Sequence, residues 1–436
     1  MTSAGPEIQT KTHSKYLVLA ILCLAQLAVG LAGSNYPAIL PILLKEWSLT
    51  PASAGLVASA LQVGYVATVV PIGFLSDRFS ARWIYAISAI GASLAGVVFA
   101  LYAHDFSSAL MLRVLIGLGQ GGSYVPGLKI LSKWFLPSER GKAIGVYTCF
   151  AIIAQAAPMY LIAPIAVAFT WRWAVLLTSV WGLPAAALIL PYVKDMPLAG
   201  TGVVTSLQTA PVSDTGSVRK SVLFKKPVVL LNLGYMGHMW EYIGFNTWLG
   251  AFMVAVARAH GMESNSALVY GNAIAGTAIL AQVAAVGLGG VISDKIGRTR
   301  TVILALSISA ACTMSIGWLA GSLPTGLLVG FVLFAGFFVL MDSAVFKAGL
   351  TDIAEPKYLG FALGAQSFLG FGTGAVSPAV FGWILGISNP GIVGGAQFRV
   401  WGWSFALLGV GALVGISAMY LLRRCQESIA MSGGKR

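Results

Sequence analysis

Glu241 stands near the middle of a long apolar stretch, in "YMGHMWEYIGFN", with His238 three residues before it. Residues three apart on a helix project from the same face, so a carboxylate and an imidazole would stand together in surroundings that disfavour charge. A carboxyl group beside a group that titrates near neutrality is the pairing that proton transfer requires. Tyr235, Tyr242 and Asn246 continue the same strip with aromatic and polar groups. A second carboxylate, Asp342, also lies within an apolar run, deep enough to neutralise a base on another helix. It is five residues from Lys347, about 140° around a helix, so those two do not pair directly. The competing reading of Glu241 is a polar knot that fixes its helix against a neighbour. Three bases are embedded in the same way: Arg113, Lys129 and Lys347.

The elements that must carry these groups follow from composition. The chain of 436 residues is 57% hydrophobic and only 9% charged, and apolar runs of 18 or more residues recur throughout. Such runs match a hydrocarbon layer of about 30 Å crossed at ~1.5 Å per residue. The chain therefore reads as an all-α membrane protein. About twelve spans are expected: 16–44, 52–75, 83–103, 107–132, 140–168 and 172–193, then 227–256, 265–292, 300–320, 324–351, 358–386 and 398–422. A run beginning at Tyr16 and reaching about Leu44 is too long for a signal-peptide core. Between the two sets lies 195–222, rich in Ser, Thr, Gly and Pro, which reads as a linker. The expected division is a six-helix bundle over 1–194, the linker, and a second bundle over 223–436.

The formal net charge of +13 does not form a stripe that would suit nucleic acid; the bases sit in the gaps between spans. If both termini, the linker and the loops joining spans two to three and eight to nine share one side, that side receives 20 of the 27 Lys and Arg. The opposite loops receive four: Lys45, Arg172, Arg258 and Arg399. The basic side is expected to be cytoplasmic. The four cysteines, Cys23, Cys149, Cys312 and Cys425, are scattered, with neither a disulfide framework nor metal-ligand spacing. No metal and no cofactor is expected.

The chain repeats itself. "GFLSDRFSARW" (73–83) and "GVISDKIGRTR" (290–300) align at an offset of 217 residues. "LPSERGKAIGVY" (136–147) aligns with "EPKYLGFALGAQ" (355–366) at 219, and Lys129 with Lys347 at 218. Two parallel repeats of six spans are an architecture of alternating-access transporters.

On these residues the chain resembles the major facilitator superfamily. Gly73, Leu75, Asp77 and Arg78 match that family's Gly-x-Leu-x-Asp-Arg-x-Gly-Arg loop signature, although Ser80 and Ala81 replace the Gly-Arg pair and Arg82 lies one position on. The second copy is fuller, with Gly290, Asp294, Lys295, Gly297, Arg298 and Arg300. Arg113 in "LRVLIGLGQGG" resembles the family's fourth-helix motif, and "WFLPSERGKAIG" resembles its organic-anion uptake branches. The resemblance implies that Asp77 meets the start of the eleventh helix near Pro356 and Asp294 the start of the fifth near Ser138. Carboxylates at helix N-termini would then latch the cytoplasmic side. It also implies that the cavity is lined by helices carrying Gln62, Tyr65, Gln120, Tyr147, Asn272 and Gln366, each of which has interhelical hydrogen bonding as its other reading.

A charge at the bilayer centre costs about 2.5–3.5 kcal/mol, so the embedded bases require a role. Lys129 and Lys347 either attract anions or snorkel to the interface; Arg113 either binds substrate, modulates a carboxylate or is structural. No Gly-x-x-x-x-Gly-Lys-Ser/Thr loop is present, which disfavours ATP-driven pumping, and no catalytic triad argues for an enzyme. The leading expectation is a monomeric secondary transporter that takes up a small organic anion, a carboxylate, together with protons across a bacterial inner membrane. The alternatives are proton-antiport efflux of drugs or metabolites, and a non-transporting sensor on the same fold. The fifth span, "CFAIIAQAAPMYL", lacks the Gly-Pro-x-x-Gly-Gly pattern of many exporters. A nitrate carrier is less favoured because spans two and eight hold no central arginine.

Overall fold

The computed structural model describes residues 7–195, 224–355, 358–392 and 398–435, with the side chains of 7–14, 70, 74, 77, 137 and 430 left aside. The linker beyond Asp195, Pro356 and the side chain of Asp77 thus lie outside the described residues. Among the described residues the chain is helical, with no strand.

In chain order the helices are α1 (Glu7–Ser34), α2 (Tyr36–Glu46), α3 (Pro51–Arg78), α4 (Ala81–Tyr102), α5 (Phe106–Gln120), α6 (Tyr124–Trp134), α7 (Pro137–Ala168), α8 (Trp171–Ser179) and α9 (Gly182–Tyr192). They continue as α10 (Lys226–Ala259), α11 (Ser264–Ile296), α12 (Arg298–Leu319), α13 (Thr325–Leu340), α14 (Ser343–Ile353), α15 (Leu359–Ser388) and α16 (Gly402–Arg423). A segment of 3₁₀ turns, Gln426–Gly434, kinked at Met431, Ser432 and Gly433, follows. Among the described residues, ten helical stretches are long and apolar enough to cross a membrane. The α5–α6 pair and α10 complete the twelve spans expected from sequence.

Four spans expected to be continuous are broken: the first at Asn35, the fourth at residues 121–123, the sixth near Val180 and Trp181, and the tenth at Met341 and Asp342. Glycine and proline account for three of them, through Pro37, the Gly119–Gly122 run, and Gly182 with Pro184. The break before α14 has neither residue in it, and Asp342 is its N-cap. Breaks in spanning helices free backbone groups and are tolerated where protein or a cavity surrounds them.

The helices assemble into two compact units. The first holds the chain up to Asn35, then Gly64–Ala103 and the stretch from Ser107 to the linker; the second holds Tyr36–Val63, His104–Phe106 and the C-terminal half. This differs from a boundary at residue 194, because residues 36–63 group with the second unit. There α2 packs on α10, and Pro51 and Gly55 lie against α15 at Gly382 and Pro378.

In the first unit α1 packs on α7 and α9, and α4 on α8 and α9, around buried Leu22, Val29, Tyr85, Ile130 and Ile189. The second unit is organised around α10, which is flanked by α16, α15, α11 and α2 and is buried at most positions from Pro227 to Ala257. Its buried positions include the polar Asn232, His238, Glu241, Asn246 and Thr247 as well as apolar residues. Close approach requires small residues: a Cβ on Gly237 would overlap the Gly411 carbonyl of α16. At the start of α11, Glu263 accepts from the backbone N–H groups of Asn265 and Ser266, and these bonds hold its carboxyl below the usual carboxylate range.

Candidate functional site

Because α10 is buried at most of its positions, it can hold charge away from lipid. His238 and Glu241, three residues apart, are both fully buried. The break before α14 brings Asp342 to the imidazole: Nδ1 of His238 lies 2.8 Å from Oδ1 of Asp342, both side chains buried. The two atoms are at ion-pair distance but out of alignment for a hydrogen bond. The imidazole is held from both sides along its own helix. Tyr235 stacks on it at 5.8 Å between centroids and Tyr242 at 6.0 Å, almost parallel at 2°, while Phe346 of α14 closes a third side at 5.7 Å. The ring cannot turn without disturbing these contacts.

Glu241 is engaged by α12. Ser309 Oγ donates to Oε1 at 2.7 Å and Thr313 Oγ1 to the same oxygen at 2.8 Å. The Thr313 hydroxyl also lies 3.0 Å from the Ser309 carbonyl and 3.3 Å from the Ala310 carbonyl, so its single proton has three candidate acceptors. The second carboxylate oxygen, Oε2, has no hydrogen-bond partner among the described residues, nor do either ring nitrogen of His238 or either oxygen of Asp342. Five such atoms in one fully buried cluster are exceptional, since buried polar groups are almost always satisfied. Ser309 and Thr313 were not among the residues expected from sequence. Their spacing of four in "LSISAACT" was the available signal, because it puts two hydroxyls on one face of the helix.

The remaining candidates fall into separate groups. In the second unit the amides of Asn246 and Gln282 exchange two hydrogen bonds, 3.3 and 2.9 Å. Asn272 donates to the Ala38 carbonyl at 3.0 Å, and the buried Gln366 amide nitrogen has no partner among the described residues. In the first unit Arg113 is buried and donates from Nη1 to the Gly33 carbonyl at 3.0 Å and to Asn35 Oδ1 at 3.4 Å, at the break between α1 and α2. Gln120 lies over Gly33, where a Cβ would collide with its amide. Gln62 and Tyr65 are half-buried on α3. Tyr147 is the hub of a buried network: its hydroxyl donates to Gln26 Oε1 at 2.7 Å, lies 3.3 Å from the Tyr85 hydroxyl, and its ring stacks on Tyr124 at 5.6 Å. Lys129 reaches the Ser76 carbonyl on α3, whereas Lys347 is exposed on α14.

The two copies of the repeated motif are built differently. In the second, Gly297 has φ +100°, a conformation that favours glycine, and turns the chain from α11 into α12. Arg298 then bonds Asp294 at 2.5 Å, Ser293 at 2.6 Å and Asp352 of α14 at 3.2 Å. The C-terminal segment covers this network. The Ser432 amide donates to Asp352 at 3.0 Å, Lys435 donates to the Asp294 carbonyl at 2.7 Å, and Met431 is fully buried. In the first copy Ser80 replaces the glycine with φ −60°, and there is no arginine at position 81. Ser80 and the Arg82 amide instead bond Asp195, and Arg82 Nη1 reaches the Leu190 carbonyl at 3.4 Å. Arg78, Lys295 and Arg300 are exposed; Gly73 and Gly290 have open space where a side chain would stand.

A family model for the Major Facilitator Superfamily matches residues 22–275, more than half of the chain. The chain belongs to that superfamily and is an integral membrane transporter of small molecules. Among similar proteins are the hexuronate transporter of Bacillus subtilis, 26% identical over 86% of this chain and 89% of that protein, and the protein named "Probable sulfoacetate transporter SauU" of Cupriavidus necator, 28% identical over 94% and 95%. The fold is shared with a bacterial homologue of the human lysosomal transporter Spinster, with a TM-score of 0.77 at 15% identity, covering 94% of this chain and 97% of that one.

The arrangement around Asp352 makes a checkable statement. Asp352→Asn should weaken both the Arg298 contact and the tail contact, lowering the melting temperature of the purified protein by about 2–4 °C, the shift expected for ~1 kcal/mol in a unit of this size. Lys295→Gln, on an exposed side chain of the same motif, should leave it in place. Equal melting of both variants and wild type would remove the network's structural role.

Proposed function

We propose that this protein imports a small organic anion, a carboxylate or sulfonate, together with protons, across a bacterial inner membrane with both termini in the cytoplasm. The observation that carries the reading is the His238–Glu241–Asp342 cluster. With both carboxylates ionised and the imidazole neutral, the cluster bears two negative charges; two protons bring it to neutrality. A buried site whose charge depends on proton occupancy provides the element that a proton gradient can drive. One charge moved through 100 mV supplies about 2.3 kcal/mol, enough for useful accumulation. Support for an anionic substrate comes from the relatives named for hexuronate and sulfoacetate, and from the one named for galactarate/D-glucarate in Escherichia coli, which is 24% identical over 97% of this chain. Anion recognition is assigned to Arg113, whose guanidinium reaches the broken first span together with Asn35.

Reconstituted protein provides the test, with uptake driven by a pH gradient compared with gradient-free counterflow. Glu241→Gln should lose concentrative uptake by at least about tenfold while retaining counterflow, since glutamine mimics the protonated acid. His238→Ala should displace the pH dependence of uptake, and Arg113→Gln should raise KM more than it lowers the maximal rate. Full concentrative uptake by Glu241→Gln would refute coupling through this residue. Joint loss of folding and counterflow would make it a structural knot instead.

A further inference from the structure

A groove runs along the outer face of the second unit between α10 and α16. It encloses about 340 Å³ and is walled by aliphatic side chains, among them Leu233, Leu413, Val414 and Leu421. These four are 38%, 44%, 48% and 48% exposed, so the groove is open to what surrounds the helices. Along α16 its lining runs from Val410 to Leu421, roughly 16 Å at ~1.5 Å per residue. That is about half of a hydrocarbon layer ~30 Å thick. Leu421 also lines a second cavity of about 510 Å³ at the C-terminal end of α16, where the surroundings change from aliphatic to charged. Lys226, at the start of α10, and Arg424, just beyond α16, face it together with Glu427. Neither base forms an ion pair with another side chain among the described residues, whereas neighbouring Lys225 pairs with Glu355.

We propose that this continuous feature is a binding site for an anionic phospholipid of the leaflet nearer the C-terminus. One acyl chain lies along the groove, and the phosphodiester sits between Lys226 and Arg424. Groove length matches one leaflet, and two bases against one acid leave a net positive charge where a headgroup would stand. Basic recesses between spanning helices recognise lipid headgroups in this way. Glu427 opposes a second negative charge and so favours a singly charged headgroup such as phosphatidylglycerol. The aliphatic half of the site distinguishes a lipid from a free phosphate, which would need only the charged half.

Native mass spectrometry of the full-length detergent-purified protein tests the proposal. Phosphatidylglycerol and phosphatidylcholine with identical acyl chains are titrated separately, with glycerophosphate as a head-only arm. Wild type should retain phosphatidylglycerol at lipid concentrations about tenfold below those needed for phosphatidylcholine. The double variant Lys226→Gln/Arg424→Gln should lose that preference while binding phosphatidylcholine as before, which also reports an intact fold. Val414→Trp, which fills the groove and leaves the bases in place, should weaken both lipids and provides a second route if the double variant does not fold. Undiminished phosphatidylglycerol preference in the double variant would overturn the proposal, as would undiminished lipid binding by Val414→Trp or equal wild-type affinity for the two lipids. Displacement of the lipid by glycerophosphate at matching concentration would overturn it in favour of a free-anion site.

Discussion

Charge buried in an apolar helix bundle must be enclosed by protein and neutralised, and the second unit is arranged around that requirement. Glu241 and His238 stand on α10 at positions fully buried against other helices. Asp342 reaches the imidazole because the tenth span breaks one residue before α14 begins. Tyr235, Tyr242 and Phe346 fix the ring, and α12 supplies two hydroxyls to a single oxygen of Glu241. What remains unsatisfied among the described residues, five polar atoms in one cluster, is the part that proton movement would use. Residues that only stabilised the bundle would be expected to complete one another's hydrogen bonds, as Asn246 and Gln282 do.

The duplicated motif shows how one local sentence is satisfied twice by different means. Where Gly297 permits a positive φ, Arg298 ties Asp294 to Asp352 and the C-terminal segment lies across the network. Where Ser80 and Ala81 stand instead, the turn keeps a negative φ and Asp195 takes over as the acceptor for Ser80 and Arg82. In each unit the chain leaving the last helix supplies the closing contact. The substitution that made the first copy a poorer match to the family signature therefore has a structural counterpart.

Much of the fold was legible because hydropathy and the repeat are properties of the chain itself. The spans follow from apolar length, and the placement of His238 and Glu241 three residues apart within one span is read directly from the sequence. Legibility ended where tertiary packing decides. No glycine or proline marks the break at Asp342, so its approach to His238 could not be read; spacing alone showed only that Asp342 and Lys347 do not pair. Ser309 and Thr313 come from a helix about 70 residues away along the chain. Tyr147, expected to line a cavity, is closed into a network with Gln26 and Tyr85, neither of which stood out by type or position. The grouping of residues 36–63 with the second unit depends on packing of α2 and α3 that periodicity does not encode.

Proton movement driven by the substrate alone tests the account most directly. Proteoliposomes in weak buffer, with no imposed pH gradient, receive a carboxylate or sulfonate that supports counterflow, and external pH is followed. The account predicts alkalinisation that accompanies substrate entry and disappears in Glu241→Gln. Substrate entry without a pH change would contradict it, and so would alkalinisation that persists unchanged in Glu241→Gln.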